Sequence, residues 1–371
     1  MLAVEQARAV AVSPRSIRTR ERVPEFDGLR AFAIALVLFG HLGQFSLRQP
    51  TPWTAFAKTG VLLFFVLSGF LITSLLCAED RIFGRVDLRK FYGRRALRLL
   101  PAAWLMIGVV VILKLTQLVV DESWWGVLAS LSYVRNIFGR GTSLAHLWSL
   151  SLEEQFYFVW PVLFVVLPRH RLQVAIGVTA ASALSRAVGI AFQLQDVGSG
   201  VFYLRPWYRF DSIMAGSILA LILARTPTVL SSPRRWFVWF AHPASGIALL
   251  CGFGLMEGVP SIMPWALSFQ TLGCVALVAS LLVHPESVMR RLLRLRPLAW
   301  LGRFSYSLYL WQQIFIVTKI PDWGLIRRPV VDVLASIVCA LISWHFVEQP
   351  FLRIKSSWQR ASTSTGPINT H

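Results

Sequence analysis

Long apolar runs separated by short basic or polar stretches dominate the chain. A helix needs about 20 mostly apolar residues to cross a bilayer. Ten predicted spans cover residues 29–46, 57–77, 98–119, 149–168, 172–192, 209–224, 236–256, 265–283, 300–320 and 329–348. Residues 121–138 mix tryptophans with polar residues, which favours an amphipathic helix lying at the membrane interface. The pattern therefore predicts an all-α polytopic membrane protein with about ten transmembrane helices.

Composition agrees with this prediction and bears on three binding partners, which are lipid, nucleic acid and metal ions. The 371 residues are 55% hydrophobic and only 15% charged, whereas soluble domains carry about 25% charged residues. The net charge is +19. A high positive net charge is common in nucleic-acid-binding proteins, but basic residues also gather in the cytoplasmic loops of membrane proteins. We therefore expect the lipid bilayer as a partner and no nucleic acid. The four cysteines lack the spacing of metal ligands, so we expect no metal site.

The distribution of lysine and arginine predicts how the chain sits in the membrane. Most basic loops fall on one side if both termini are cytoplasmic, although Arg135 and Arg140 then lie on the outer side, against the rule. We expect residues 1–23 to form a disordered basic cytoplasmic arm, 24–352 one membrane domain and 353–371 a cytoplasmic tail. The expected location is the inner (plasma) membrane, which the chain crosses several times.

Ionisable residues inside an apolar span are costly and mark functional sites by default. Arg30 and His41 are eleven residues apart in the first span, which places them nearly on one helix face and about 16 Å apart along the axis. Asp27 adds an acidic partner near Arg30. The structural alternative is a snorkelling arginine and a histidine that hydrogen-bonds to a neighbouring helix.

A second group of polar residues surrounds the start of the fourth span. His146 and Glu153 are seven residues apart and share a helix face, and Glu154 follows directly. Carboxylates also stabilise a helix N-terminus through the helix dipole. The functional and structural interpretations both stay open on the residues alone.

Arginines mark two further places in the sequence. Arg94, Arg95 and Arg98 stand at the predicted cytoplasmic start of the third span, where guanidinium groups suit either phosphate recognition or contact with lipid head groups. Arg209 and Asp211 stand at a predicted outer mouth, at the start of the sixth span.

Taken in order, several stretches resemble the membrane-bound acyltransferase-3 family. They are "FDGLRAFAIALVLFGH" with its Arg-X10-His spacing, "GVLLFFVLSGFLIT", "FYGRRALRLLP", "HLWSLSLEEQFYFVWP", "YRFDSIMAG", "LGRFSYSLYLWQQ" and "HFVEQPF". Each motif alone is a soft pattern, but together they cover the chain from about residue 24 to 352 in the right order.

The resemblance implies a ten-helix membrane domain that moves an acyl group, usually acetyl, from cytoplasmic acyl-coenzyme A to a carbohydrate hydroxyl. Acetyl-coenzyme A would be a co-substrate, and no tightly bound cofactor is expected. The family motifs place the catalytic group at His41, His146 and Glu153. They place donor binding at the cytoplasmic arginines, which are Arg30, Arg94, Arg95 and Arg98.

One position departs from the family pattern. Many relatives carry histidine after "SYSLYLW", where this chain has Gln312. Glutamine forms hydrogen bonds but takes up no proton at neutral pH, so we expect the chemistry at His41 and place Gln312 on the acceptor side with Arg209 and Asp211. His41 is suited to act as a general base or to form an acyl-histidine intermediate.

The acceptor stays open at this point. A cell-surface polysaccharide or lipid-linked glycan is the first expectation, and a sugar on a macrolide-like secondary metabolite is the second. Because about 20 residues follow the last predicted span, we expect the membrane domain either to bind the acceptor itself or to hand the acyl group on. A proton-coupled transporter, in which buried histidine, glutamate and arginine residues form a relay, is the alternative from another class of protein.

Overall fold

The computed structural model describes residues 23–46, 53–138, 141–193, 204–226, 229, 233–255, 263–318 and 329–354. Every regular element in these ranges is helical, as predicted. The predicted basic arm, apart from its last residue, and the predicted tail beyond residue 354 lie outside the described residues.

Fourteen α-helices are described, and we number them in chain order. They are α1 Pro24–His41, α2 Trp53–Phe83, α3 Leu88–Leu115, α4 Trp124–Leu131, α5 Leu147–Val166, α6 Arg171–Ala191, α7 Phe210–Arg225, α8 Arg235–Phe240, α9 Pro243–Leu255, α10 Met263–Val283, α11 Val288–Leu293, α12 Arg296–Arg303, α13 Ser305–Gln312 and α14 Pro329–Ile342. A short 3₁₀ turn, Pro206–Tyr208, precedes α7.

Six helical segments are long and apolar enough to cross a membrane, which makes the chain a multi-pass membrane protein. They are Pro24–Gln44, Trp53–Phe83, Leu88–Leu115, Arg171–Ala191, Trp265–Val283 and Pro329–Ile354. The count of ten spans and the cytoplasmic position of both termini stay predictions.

Three predicted segments are broken or shortened in the structure. The predicted span 236–256 is divided between α8 and α9 at Ala241 and His242. The predicted span 300–320 is divided between α12 and α13, with the break at the buried Phe304. In the predicted interfacial stretch, the helix covers only the eight residues of α4, whose Trp124, Trp125 and Leu128 are exposed.

Helix α2 packs along both α1 and α7 and forms the centre of the described bundle. At its crossing with α7, a Cβ atom on Gly69 would collide with the backbone oxygen of Ile213, and one on Gly216 with that of Val66. Small residues allow helix backbones to approach closely where lipid supplies no hydrophobic driving force between helices. These two glycines therefore set the distance between α2 and α7.

Three π-helical turns extend or interrupt the helices, and such turns occur often at functional sites. Leu42–Ser46 follows α1 directly after His41, Gln313–Val317 follows α13 directly after Gln312, and Ser343–Glu348 follows α14. The turns after α1 and α13 contact each other. His41 and Gln312 thus lie where the regular helix geometry changes.

A buried ion pair fixes the segment between α4 and α5. Arg135 Nη1 lies 2.6 Å from Glu122 Oε1, and the two side chains are 3% and 0% exposed. Arg135 also donates to the Gly141 carbonyl at 2.9 Å, and Glu122 accepts from the Leu144 amide at 2.9 Å. Arg135 ran against the charge rule in the sequence because the rule counts it as a loop charge, whereas here it is buried and neutralised.

Candidate functional site

His41 stands at the end of α1 and contacts α13 through its ring. Its Nδ1 atom lies 2.9 Å from Oε1 of Gln312, and Gln312 is fully buried. An amide oxygen accepts hydrogen bonds and donates none, so the proton of a neutral His41 ring lies on Nδ1. The residue at which the chain departs from the family pattern is therefore the direct partner of the predicted catalytic histidine.

His146 stands at the N-terminus of α5 and faces Tyr309, with ring centroids 5.3 Å apart. The Tyr309 hydroxyl donates to the His146 carbonyl at 2.8 Å and lies 2.6 Å from Oγ of Ser149. Neither His146 ring nitrogen makes a hydrogen bond of good geometry to the described residues, although the Leu310 backbone lies close to the ring.

His41 and His146 both contact α13, through Gln312 and Tyr309, which are three residues apart and share a helix face. We call His41, His146, Tyr309 and Gln312 the histidine cluster. The structure thus brings together two residues that the sequence separates by 105 positions.

A second group lies around Arg30 and the start of α3. Arg98 is within electrostatic range of Arg30, Arg95 and Glu348. The guanidinium of Arg95 lies 4.3 Å from the centre of the Tyr157 ring. We call Arg30, Arg95, Arg98, Glu153, Glu154 and Glu348 the arginine–carboxylate cluster.

Glu153 is held inside this cluster by neutral donors from two helices. Ser68 of α2 donates to its Oε1 atom at 3.1 Å, and the Tyr157 hydroxyl lies 3.2 Å from its Oε2 atom. Arg95 and Arg30 act on it electrostatically. In Glu154, the buried Oε1 atom has no hydrogen-bond partner among the described residues. The basic partners that the sequence lacked near these carboxylates thus come from α1 and α3.

The two clusters lie along the same pair of helices. On α1, Arg30 precedes His41 by eleven residues, and on the N-terminal part of α5, His146 precedes Glu153 by seven. His146 lies near His41 while Glu153 lies near Arg30, so the two helices run in opposite directions here. At 1.5 Å per residue, the clusters are separated by about 10–16 Å.

Two of the predicted donor-binding arginines also have acidic partners. Arg30 Nη1 lies 2.9 Å from Asp27, as the sequence suggested, and Arg94 Nη2 lies 3.2 Å from Glu79 of α2. Arg94 thus pairs with Glu79, whereas Arg95 and Arg98 belong to the arginine–carboxylate cluster.

Arg209 is buried beside α2 and α5, and Asp211 is buried beside α6. Arg209 lies 5.7 Å from the Phe65 ring and 5.5 Å from the Trp148 ring. Asp211 pairs with Arg186 at 2.6 Å. The sequence signal for Arg186 was its place inside an apolar run, since intramembrane arginines need a partner. The acceptor-side role of Arg209 and Asp211 stays a prediction.

Several other residues at the site were not predicted. Tyr309, Gln313, Tyr157 and Ser68 are polar residues on apolar helical segments, and each has a hydrogen-bond partner far away in sequence. Among the residues that the structure describes, no group of three histidine, cysteine, aspartate or glutamate side chains could hold a metal ion.

Comparison with known proteins identifies the family of the chain. The model of the acyltransferase-3 family, described as "Acyltransferase domain", matches residues 23–347. The chain belongs to the acyltransferase-3 family. No solved structure matches it.

The relatives of this acyltransferase-3 chain include three bacterial proteins. YrhL of Bacillus subtilis is 33% identical over 360 residues, which cover 88% of this chain and 54% of YrhL. The peptidoglycan O-acetyltransferase OatA of Listeria monocytogenes is 30% identical, with 90% of this chain and 56% of OatA covered. The O-acetyltransferase OatA of Staphylococcus aureus is 30% identical, with 88% and 57% covered. The chain spans about half the length of these relatives.

Proposed function

We propose that this chain transfers an acetyl group from acetyl-coenzyme A to a hydroxyl of a cell-wall polysaccharide of the peptidoglycan type. The observation that carries the proposal is the histidine cluster, in which a family-motif histidine on α1 holds a hydrogen bond to Gln312 at 2.9 Å. Relatives named as peptidoglycan O-acetyltransferases support this acceptor class over the macrolide-like sugar. The expected location is the bacterial plasma membrane.

The arginine–carboxylate cluster is the proposed donor side. Guanidinium groups recognise phosphate oxygens through paired hydrogen bonds, and Arg95 and Arg98 bring two of them to one place on α3. Arg30 adds a third guanidinium group from α1, close to Arg98. The acyl end of the donor would then extend toward His41, a distance of about 16 Å along α1.

His41 is the proposed general base. With the Nδ1 proton donated to Gln312, the lone pair of the neutral ring lies on Nε2. Nε2 takes the proton of the acceptor hydroxyl as its oxygen attacks the thioester carbonyl. The carbon–sulfur bond then breaks, and the coenzyme A thiolate takes that proton, which gives an ester and free coenzyme A. General-base catalysis of this kind contributes roughly 10²–10⁴-fold.

The test uses membranes that carry the full chain, radiolabelled acetyl-coenzyme A and peptidoglycan fragments. We expect wild type to release coenzyme A thiol and to place label in a base-labile ester. His41→Ala should lose both by at least about 100-fold. His345→Ala is the matched control, because His345 is an exposed histidine on the last described helical segment.

Equal labelling by His41→Ala would remove His41 from the mechanism. Substrate-driven flux of protons without any acyl transfer would support the transporter alternative instead. Label that stays on the protein in wild type but not in His41→Ala would replace the direct transfer by an acyl-histidine intermediate.

A further inference from the structure

Two adjacent glutamines connect His41 to the backbone of the segment before α5. Gln313 Nε2 donates to the Thr142 carbonyl at 2.6 Å, and Gln312 Nε2 points to Gln313 Oε1 at 3.5 Å. Gln312 Oε1 in turn lies 2.9 Å from Nδ1 of His41. Both glutamine side chains are buried, with exposures of 0% and 2%. The four groups form one chain of hydrogen bonds.

The Thr142 carbonyl, at the far end from His41, fixes the direction of this chain of hydrogen bonds. A backbone carbonyl accepts hydrogen bonds and donates none, so Gln313 must turn its amide nitrogen to Thr142. The oxygen of Gln313 then faces Gln312, which must present its own nitrogen. Gln312 is left with only its oxygen for His41. Reversing either amide would set two acceptors against each other in a buried place, which costs free energy.

Adjacent residues on a regular α-helix do not face each other. Gln312 and Gln313 make contact where α13 passes into the π-helical turn Gln313–Val317. The Thr142 end is held as well, because the neighbouring Ser143 donates to Asp121 at 3.2 Å and the Leu144 amide donates to Glu122. The chain of amides therefore rests on a fixed backbone group rather than on a mobile one.

We infer that Gln312 and Gln313 are positioning residues that hold His41 with its proton on Nδ1 and its basic lone pair on Nε2. This inference rests on the proposed function, in which His41 is the general base, and names the residues that keep it in the competent tautomer. Gln312 acts directly on the ring, and Gln313 acts by orienting Gln312. Neither residue takes up or releases a proton.

The test reads the tautomer and the reaction separately. The purified full chain, labelled with ¹⁵N-histidine, gives the protonation state of each ring nitrogen by nuclear magnetic resonance, and His41→Ala assigns the signals. The variants are Gln312→Leu, which removes the acceptor, Gln312→Glu, which keeps one, and Gln313→Leu, which removes the orienting amide. Gln270→Leu is the matched control, since Gln270 is a buried glutamine on α10.

We expect a protonated Nδ1 in wild type, Gln270→Leu and Gln312→Glu. In Gln312→Leu and Gln313→Leu, a measurable share of the proton should move to Nε2. In the same two variants, kcat for acetyl transfer should fall at least about tenfold while KM for acetyl-coenzyme A changes by less than about twofold, because donor binding is untouched.

A proton on Nε2 in the wild type overturns the inference, as does an unchanged tautomer in both leucine variants. A shifted tautomer with unchanged kcat overturns the positioning role. If the wild type transfers no acetyl group, the proposed function fails. The tautomer measurement then tests by itself whether the two glutamines hold the His41 proton on Nδ1. If Gln313→Leu does not fold, Gln312→Leu and Gln312→Glu still give opposite expected results.

Discussion

Replacing Arg135 by methionine should destabilise the segment that carries Thr142 and His146. The change removes three hydrogen bonds, two to Glu122 at 2.6 and 3.3 Å and one to the Gly141 carbonyl at 2.9 Å. Glu122 is left buried with the Leu144 amide as its remaining donor. Breaking a buried pair by removing one partner costs about 3–5 kcal/mol, and we expect the free energy of unfolding to fall by this amount.

The size of the loss has an upper limit set by Glu122 itself. Burial already raises the pKa of the Glu122 carboxyl above its ordinary value, against the opposing effect of Arg135. Without Arg135, the carboxyl can relieve its buried charge by taking up a proton, so the loss should stay below the sum of three charged hydrogen bonds, about 4.5–9 kcal/mol. For the same reason, Arg135→Met/Glu122→Gln should lose less than either single variant.

Denaturant unfolding of the purified protein in detergent, followed by tryptophan fluorescence, measures these differences. Lys90→Met is the control, because the Lys90–Asp87 pair is 3.5 Å long and both side chains are exposed, so its loss should cost only about 0–1 kcal/mol. If the double variant loses the sum of the two single losses, or if Lys90→Met loses as much as Arg135→Met, the reasoning from burial is wrong.

Three further predictions concern the donor side, helix packing and pH. Arg95→Ala should raise KM for acetyl-coenzyme A at least about tenfold. Arg94→Ala should raise it less, because Arg94 pairs with Glu79. Initial-rate kinetics measure both values, and equal effects would contradict the placement of Arg95 on the donor side. Gly69→Val should abolish folded protein in the membrane, whereas Gly108→Ala, with open space around it, should not; fluorescence-detected gel filtration compares them. Asp87→Ala should cost about 0.5–2 kcal/mol, since Asp87 accepts from the Lys90 amide. That hydrogen bond lowers the pKa of Asp87 from 3.8, so the stability it contributes is present above pH about 4 and lost as the pH falls below that value. The difference in the free energy of unfolding between wild type and Asp87→Ala, measured at neutral and at acidic pH, should therefore shrink at acidic pH.

The sequence predicted the helices well where the apolar pattern was long and uninterrupted. Pro24 at the start of α1 and Asp87 before α3 are local signals of a helix N-terminus, and the structure uses both. The break between α12 and α13 was not predictable from hydropathy. It lies beside Gly302, where a Cβ atom would collide with the backbone of Asp27 on α1, so it depends on a tertiary contact.

The site was predictable residue by residue but not as an arrangement. His41, His146 and Glu153 stood out because ionisable groups are rare in apolar spans. Their partners did not, since Ser68 and Tyr309 are common residues whose roles depend on which helices pack together. Asp211 was noted without Arg186, because 25 positions separate them and only the packing of α6 on α7 joins them.

The glutamine at position 312 gives the histidine cluster a property that an ionisable residue would not. A histidine there would change its charge near neutral pH and could present either a donor or an acceptor to His41. An amide keeps one charge state, and here its orientation is set by Gln313 and the Thr142 carbonyl. The tautomer of a neutral His41 is then independent of pH, and Gln312 itself takes no part in proton transfer. The departure from the family pattern is therefore consistent with retained chemistry at His41 rather than with its loss.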